Sequence, residues 1–180
     1  MASIEKPWQY NFPPFFTIQP NIDTRKKQLE AWCQLVLDTQ KSCNSHSLDV
    51  NEALGTIFTN KEINRKLSRD GVDMVLEELI KKGHLEWKDP RTKKECLIMW
   101  RTPEEWGKLI YKYINDRSMN NSVCTLFELA NGDDTDGEEF HGLEQWLLLR
   151  ALKSLEIDGK AELMAFGDNE GVKFFWWRTW

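Results

Sequence analysis

The feature that most constrains this fold is a ten-residue segment near the N-terminus in which half of the side chains are aromatic. It runs from Pro7 to Phe16 and contains five aromatic residues and three prolines. Proline lacks a backbone N–H and clashes with the preceding helical turn, which argues against an α-helix or a central strand here. Because Pro13 follows it, Phe12 is predicted to be extended. We therefore expect a stiff, extended segment, called the aromatic segment below, whose rings must be buried against something.

Length and composition favour a compact chain. It has 180 residues, 41% of them hydrophobic, which is enough for one medium domain or two small ones and argues against global disorder. No run approaches the roughly 18 apolar residues that a membrane span needs. The N-terminus also lacks the basic and then apolar pattern of a signal peptide. These features predict a cytosolic or nuclear protein whose association with membranes depends on partners.

The predicted elements occur in the same order twice, as helices followed by two strands around a turn. In the first half, helices are predicted over Thr24–Thr39, near Asn60–Leu67 and from Ser68 to Lys82, with strands over His84–Trp87 and Cys96–Trp100. In the second half, one helix is predicted to begin at the capping residue Thr102, a second at the capping residue Thr125, and a third to span Leu143–Leu155. Strands are predicted over Lys160–Met164 and Val172–Phe175. Three helices followed by a two-stranded wing are typical of a winged helix.

Matching letters support a duplication. Trp32 corresponds to Trp106 at an offset of 74, and Gly83 corresponds to Gly159 at an offset of 76. We therefore predict an α+β chain, mostly α, with two tandem winged-helix domains over residues 23–101 and 102–180. An extended N-terminal arm, residues 1–22, precedes them.

The two halves of the chain differ in net charge. Residues 1–101 carry 16 basic and 14 acidic side chains, a net charge of +2, whereas residues 102–180 carry 8 and 15, a net charge of −7. The helix that would enter a DNA groove exposes acidic residues, which phosphates would repel. The remaining basic feature is the first predicted wing, with Lys88, Arg91, Lys93 and Lys94. A winged helix used for protein contact is favoured, and a nuclear factor that binds nucleic acid through this wing is the alternative.

An acidic stretch, Asn131–Glu139, precedes the last predicted helix. It does not fit a calcium loop, because Gly132 and Leu143 would stand at two ligand positions. We interpret it as an exposed loop, and as a candidate contact for a basic partner helix. The candidate residues are Asp133, Asp134, Glu138 and Glu139.

The sequence gives little support for catalysis or for a bound cofactor or metal. Its three histidines, His46, His84 and His141, lie in no recognisable catalytic motif, and no glycine-rich phosphate loop is present. Cys43 and His46 form an isolated C-x-x-H without a second pair, which argues against zinc. The cysteines are expected to be buried free thiols, and they are Cys33, Cys43, Cys96 and Cys124. We expect a protein without enzymatic activity.

Two interpretations of the aromatic segment remain open. It could pack on its own first domain, or it could dock on another protein. Pro13-Pro14-Phe15-Phe16 resembles the P-P-x-Y ligands of WW domains, but Phe16 stands where tyrosine is expected. A different hydrophobic groove is therefore the more plausible partner.

Several longer stretches carry a resemblance to a known family. They are Trp8-Gln9-Tyr10, Phe12-Pro13-Pro14-Phe15-Phe16, Val75-Leu76-Glu77-Glu78-Leu79, Leu97-Ile98-Met99-Trp100, Pro103-Glu104-Glu105-Trp106-Gly107-Lys108-Leu109-Ile110 and Gly171-Val172-Lys173-Phe174-Phe175. Together they resemble the vacuolar protein sorting-associated protein 25 family of ESCRT-II subunits, over nearly the whole chain.

The resemblance implies two tandem winged helices, no enzymatic activity, and two copies of this chain joined to two other ESCRT-II subunits. It implies docking on those subunits through Pro13, Pro14, Phe15 and Phe16, with Tyr10 and Phe12 beside them. It also implies that the second winged helix recruits the first ESCRT-III subunit, in the sorting of ubiquitinated cargo into multivesicular bodies. The expected location is the cytoplasm and the endosomal surface, with the nucleus as a further possibility.

The C-terminus departs from the family pattern. The chain continues past Phe175 with Trp176–Trp180, which contains three tryptophans. These are expected either to extend the last strand or to cover the second domain.

Overall fold

The computed structural model describes residues 4–176, with only the backbone of Phe166 described. The chain divides into two compact units, Met1–Trp100 and Arg101–Trp180, called unit 1 and unit 2. Each unit is described by itself. Most of the C-terminal tryptophan cluster lies outside the described residues, which end at the half-exposed Trp176.

Within residues 4–100, unit 1 contains three α-helices and five short strands. The helices are α1 (Ile22–Ser42), α2 (Val50–Gly55) and α3 (Arg69–Lys81). The strands are β1 (Ser47–Asp49), β2 (Thr59–Asn60), β3 (Arg65–Lys66), β4 (Leu85–Trp87) and β5 (Glu95–Ile98). Strands β1, β5 and β4 form one antiparallel sheet in that order, with Leu48 opposite Cys96 and Trp87 also opposite Cys96.

Side-chain caps explain where the helices of unit 1 begin. Asn21, Asp49 and Ser68 accept hydrogen bonds from the backbone N–H groups of Thr24, Glu52 and Gly71 respectively. Helix α3 ends before Gly83, whose φ of +80° places it in the left-handed region that favours glycine. The predicted helix from Ser68 to Lys82 is thus confirmed within one residue of each end.

The helix predicted near Asn60–Leu67 is wrong, because those residues form the β2–β3 hairpin. Asn60 accepts a hydrogen bond from the Glu62 N–H through its side chain, and Asn64 has a φ of +51°. Both features belong to a tight turn rather than to a helix. The second helix of the winged-helix order is α2, which lies earlier in the chain.

The core of unit 1 centres on α1 and α3. Trp32, Val36, Val72, Val75 and Leu79 are completely buried. They follow helical spacing along the facing sides of the two helices, so each helix buries one stripe.

Unit 2 repeats the arrangement, with three α-helices and three strands among residues 101–176. Its helices are α4 (Pro103–Asp116), α5 (Leu126–Asn131) and α6 (Gln145–Ile157). Its strands are β6 (Val123–Thr125), β7 (Ala161–Phe166) and β8 (Asn169–Phe174), ordered β6-β8-β7 in one antiparallel sheet. The winged-helix prediction is confirmed for both halves of the chain. Each half also contains a short strand after its first helix, β1 or β6, that was not predicted.

Caps and one close helix contact set the geometry of unit 2. Thr125 and Glu128 form a complete capping box at the start of α5, as predicted. A Cβ atom at Gly107 would lie 2.7 Å from the Ser154 hydroxyl oxygen and 3.0 Å from the Ala151 carbonyl oxygen. Glycine at this position therefore allows α4 and α6 to pack closely.

Candidate protein-docking sites

The aromatic segment folds as two short 3₁₀ helices, Trp8–Asn11 and Pro13–Phe16. The expectation of an extended segment is therefore wrong for these residues. Proline fixes φ near −65°, which lies within the 3₁₀ range, and at the start of a turn its missing N–H leaves no bond unmade. Between the two turns, Phe12 is extended as predicted, with φ −105° and ψ 110°.

Three rings of the segment are buried in unit 1. Tyr10, Phe15 and Phe16 are each only 4% exposed, and all three contact Trp32 of α1. The Phe15 ring stacks on Trp32 with centroids 4.4 Å apart and an angle of 6°, while Phe16 meets it edge-on at 5.3 Å. The sequence left open whether the segment packs on its own first domain or docks on another protein. These three side chains pack on the first domain.

Hydrogen bonds fix the backbone of the segment to the rest of unit 1. The Tyr10 hydroxyl donates to the Thr59 carbonyl at 2.7 Å, and the Asn60 amide donates to the Tyr10 carbonyl at 2.7 Å. The Trp32 indole N–H donates to the Phe15 carbonyl at 3.0 Å. Burial raises the pKa of the Tyr10 hydroxyl, and the negative charge of Glu62 raises this pKa further.

A buried glutamine of α1 completes this attachment. Gln28 is 6% exposed, and its side-chain amide donates to the carbonyls of Phe15 at 2.9 Å and Thr17 at 2.8 Å. Its carbonyl oxygen accepts from the Gln19 N–H at 3.1 Å. The sequence analysis missed Gln28. The available signal was its position four residues before Trp32, which places a polar residue on the buried stripe of α1.

The opposite face of the aromatic segment is exposed. Trp8 is 71% exposed and Phe12 48% exposed, and their ring centroids lie 5.8 Å apart. Pro13 and Pro14 are exposed beside them. Trp8, Phe12 and Pro14 wall a mostly apolar concavity of about 280 Å³, whose floor includes Ala31 of α1. Large apolar side chains held in the open on a fixed backbone are typical of a protein contact.

The acidic residues predicted as a second contact lie on the segment between α5 and α6 of unit 2. Glu139 forms an ion pair with Arg101, and a Glu138 oxygen lies 4.0 Å from an Arg117 nitrogen. Asp133 and Asp134 are exposed in a 3₁₀ turn, Asp133–Thr135, and neither has an ion pair within residues 4–176. Asp133 and Asp134 are therefore the two carboxylates of this group available to a basic partner.

The first wing does not favour nucleic acid. The Lys88 amine lies 3.2 Å from a Glu95 carboxylate oxygen, so one of the four wing cations is already paired. Helix α3, which would enter a DNA groove, exposes the acidic residues Asp70, Asp73 and Glu77. A phosphate backbone would meet negative charge on that helix.

The described residues show no cluster that could hold a metal ion. Within residues 4–176, no three His, Cys, Asp or Glu side chains are grouped to hold a metal ion. Burial raises the pKa of the Cys33 thiol to about 11 and that of Cys96 to about 12, so both thiols are protonated at neutral pH. The expectation of buried thiols is wrong for Cys43, which is exposed because it directly follows the last residue of α1. No helix in this part of the chain is long and apolar enough to cross a membrane.

Comparisons with known proteins agree with the resemblance found in the sequence. The family model described as ESCRT-II complex subunit matches residues 9–144. The chain is 61% identical over 174 residues to Vacuolar protein-sorting-associated protein 25 of Danio rerio, covering 96% of this chain and 99% of that relative.

Two solved structures have a similar fold. One is the crystal structure of subunit VPS25 of the endosomal trafficking complex ESCRT-II, with a TM-score of 0.75, 26% identity, and coverage of 93% of this chain and 97% of that chain. The other is the crystal structure of the endosomal complex ESCRT-II (VPS22/VPS25/VPS36), with a TM-score of 0.71, 28% identity, and coverage of 93% and 98%. The chain therefore belongs to the family of ESCRT-II complex subunits, which are structural components of an endosomal trafficking complex rather than enzymes.

Proposed function

We propose that this chain is an adaptor that joins the other ESCRT-II subunits through the exposed face of its aromatic segment. The family membership supports this proposal, as does the solved complex in which a similar chain assembles with VPS22 and VPS36. In this proposal the chain acts in the cytoplasm and on endosomal membranes, where it helps to sort ubiquitinated cargo into multivesicular bodies. Two copies in one complex would raise the effective concentration of whatever each copy binds.

The observation that carries the proposal is the division of the segment into a buried face and an exposed face. Tyr10, Phe15 and Phe16 lie in the core of unit 1 and hold the backbone in place. Phe12, Pro13 and Pro14, with Trp8 beside them, face outward and are the residues proposed to contact the partner subunits. Of the six predicted docking residues, Phe12, Pro13 and Pro14 form the contact in this proposal, whereas Tyr10, Phe15 and Phe16 are buried in unit 1 and only support it.

The exposed rings can supply the energy that docking needs. Burying a phenylalanine or larger apolar side chain contributes about 1.5–3 kcal/mol. In the free chain Trp8 is 71% exposed and Phe12 is 48% exposed, so much of that contribution is still available on binding. The segment is already ordered by its contacts with α1, which reduces the conformational entropy lost on association.

Co-purification of the chain with the two partner subunits tests the proposal. A Phe12→Asp variant places a charge in the proposed contact and should abolish co-purification, because an unpaired carboxylate would be buried. The matched control is Phe127→Asp, which changes an exposed phenylalanine of unit 2 that is 68% exposed. Undiminished recovery of both partner subunits with Phe12→Asp would refute docking through this face.

Recruitment of ESCRT-III is proposed for unit 2. The predicted partner is the basic N-terminal helix of the first ESCRT-III subunit, and the net charge of −7 over residues 102–180 supports this pairing. Within the acidic stretch, Asp133 and Asp134 are the proposed contacts. Glu138 and Glu139 contribute less, because Arg117 and Arg101 already face them.

A further inference from the structure

The docking face proposed above depends on a side chain that is almost wholly buried. Gln28 lies in the second turn of α1 and is 6% exposed, where it lines the concavity walled by Trp8, Phe12 and Pro14. Its hydrogen-bonding groups meet the backbone of the segment and of the residues that follow it. The contacts are Nε2 to the Phe15 carbonyl, Nε2 to the Thr17 carbonyl, and the Gln19 N–H to Oε1.

These hydrogen bonds are made with backbone groups, so they do not depend on the side chains at residues 15, 17 and 19. An amide side chain offers two donor hydrogens and a carbonyl acceptor, and Gln28 uses both kinds of group over five consecutive residues, 15–19. Methionine has a similar length but could supply neither donors nor a strong acceptor. Gln28 therefore sets the path of the chain at the end of the second 3₁₀ turn, where Thr17 returns to an extended conformation.

Two neighbours reinforce the same stretch. Trp32, one helical turn after Gln28, donates to the same Phe15 carbonyl at 3.0 Å. The side-chain amide of Gln19 donates to the carbonyls of Pro14 at 3.0 Å and Thr17 at 2.8 Å. The carbonyls of residues 14, 15 and 17 are thus held by these amides and the indole, which restrains the backbone that carries Pro13 and Pro14.

We propose that Gln28 is a positioning residue for partner docking, which holds the aromatic segment in the conformation that the other ESCRT-II subunits bind. This inference rests on the docking function proposed above. It adds that affinity is determined partly by a buried residue outside the aromatic segment. Loss of the Gln28 contacts would lower the fraction of chains in the competent conformation, and the apparent affinity would fall by the same factor.

Binding kinetics distinguish positioning from general stabilisation. The pair of partner subunits is immobilised, and the full chain is passed over it well below its unfolding temperature. Gln28→Met should lower the association rate constant by about tenfold or more, while the dissociation rate constant changes less than about threefold, since the docked contacts themselves are unchanged. A role in stability alone would lower the unfolding temperature and leave both rate constants unaltered.

Two further variants keep the inference testable. Gln34→Met is the matched control, because Gln34 is an exposed glutamine of the same helix. Among residues 4–176 its side chain bonds only Asp38, at 2.8 Å, so the rate constants of this variant should equal those of the wild type. If Gln28→Met does not fold, Gln19→Ala removes the half-buried amide that holds Pro14 and Thr17, and should slow association about threefold. An unchanged association rate in the folded variant would overturn the inference, whereas failure of the wild type to bind would overturn the docking proposal instead.

Discussion

The two candidate docking surfaces of this chain are built in opposite ways. The aromatic segment of unit 1 is fixed by burial, since three of its rings pack around Trp32 and its carbonyls are bonded to α1. The acidic stretch of unit 2 presents carboxylates on a short turn, and two of its four candidate residues face arginines. The comparison suggests that the first surface is specific because it is preorganised, whereas the second acts through charge.

The difference between the two surfaces should have its largest effect on the free energy of unfolding. Phe15→Ala removes a ring stacked on the fully buried Trp32, so the free energy of unfolding of the isolated chain should fall by about 3–5 kcal/mol. Denaturant unfolding followed by tryptophan fluorescence measures this. The control is Phe12→Ala, since Phe12 is 48% exposed and should cost less than about 1 kcal/mol. Equal stability of Phe15→Ala and wild type would mean that the segment is a free arm.

Partner affinity should respond to the other face of the same segment. The double variant Trp8→Ala and Phe12→Ala should weaken binding of the two partner subunits by about 2–4 kcal/mol, as expected for exposed aromatic anchors. Titration calorimetry gives the affinity, and a thermal melt of the free chain should be nearly unchanged. A large loss of thermal stability without a change in affinity would reverse the roles assigned to the two faces.

The acidic stretch should show a smaller effect that depends on salt. Asp133→Lys with Asp134→Lys should weaken binding of a basic ESCRT-III N-terminal helix by about 1–2 kcal/mol at low ionic strength, and by less as salt screens the charges. The matched pair Glu138→Gln with Glu139→Gln should have a weaker effect, because those carboxylates already face arginines. Affinity of the lysine variant equal to that of wild type at low salt would exclude this stretch as the contact.

The smallest effect concerns the hydroxyl of Tyr10. Tyr10→Phe removes a hydrogen bond to Thr59 and should cost about 1 kcal/mol at pH 7. Because folding raises the pKa of Tyr10, its stabilising effect is complete below pH 10, the ordinary value, and is lost as the pH rises through the folded-state pKa. Denaturant unfolding should therefore show the gap between wild type and Tyr10→Phe narrowing above pH 10. A gap that is constant from pH 7 to 11 would contradict the burial of this hydroxyl.

Much of the fold could be predicted because its signals are local. The cap at Ser68, the apolar stripe of α3 and the terminal Gly83 all lie within one short stretch, and they place the helix correctly. The repeated order of elements similarly identifies the two winged helices. Strands β1 and β6 could not be predicted, since each has three residues and is defined by pairing with a strand nearly fifty residues later.

The candidate site was only partly predictable for the same reason. The proline and aromatic content of the segment identified it as a docking candidate, and Phe12, between the two 3₁₀ turns, is extended as predicted. Its buried face could not be read from the residues themselves. Phe15 is buried because Trp32, seventeen residues later, provides a ring and an indole N–H in the right place. Nothing local distinguishes Phe15 from Phe12.

The aromatic segment is already packed into unit 1 before any partner binds. Amide hydrogen exchange of the free chain tests this most directly, with the Gln19 N–H as reporter because it bonds the buried side chain of Gln28. This amide and the Phe15 and Thr17 amides should be protected in the free chain and should keep that protection in the complex. Exchange at the rate of an unfolded chain in the free protein, with protection appearing only in the complex, would contradict it.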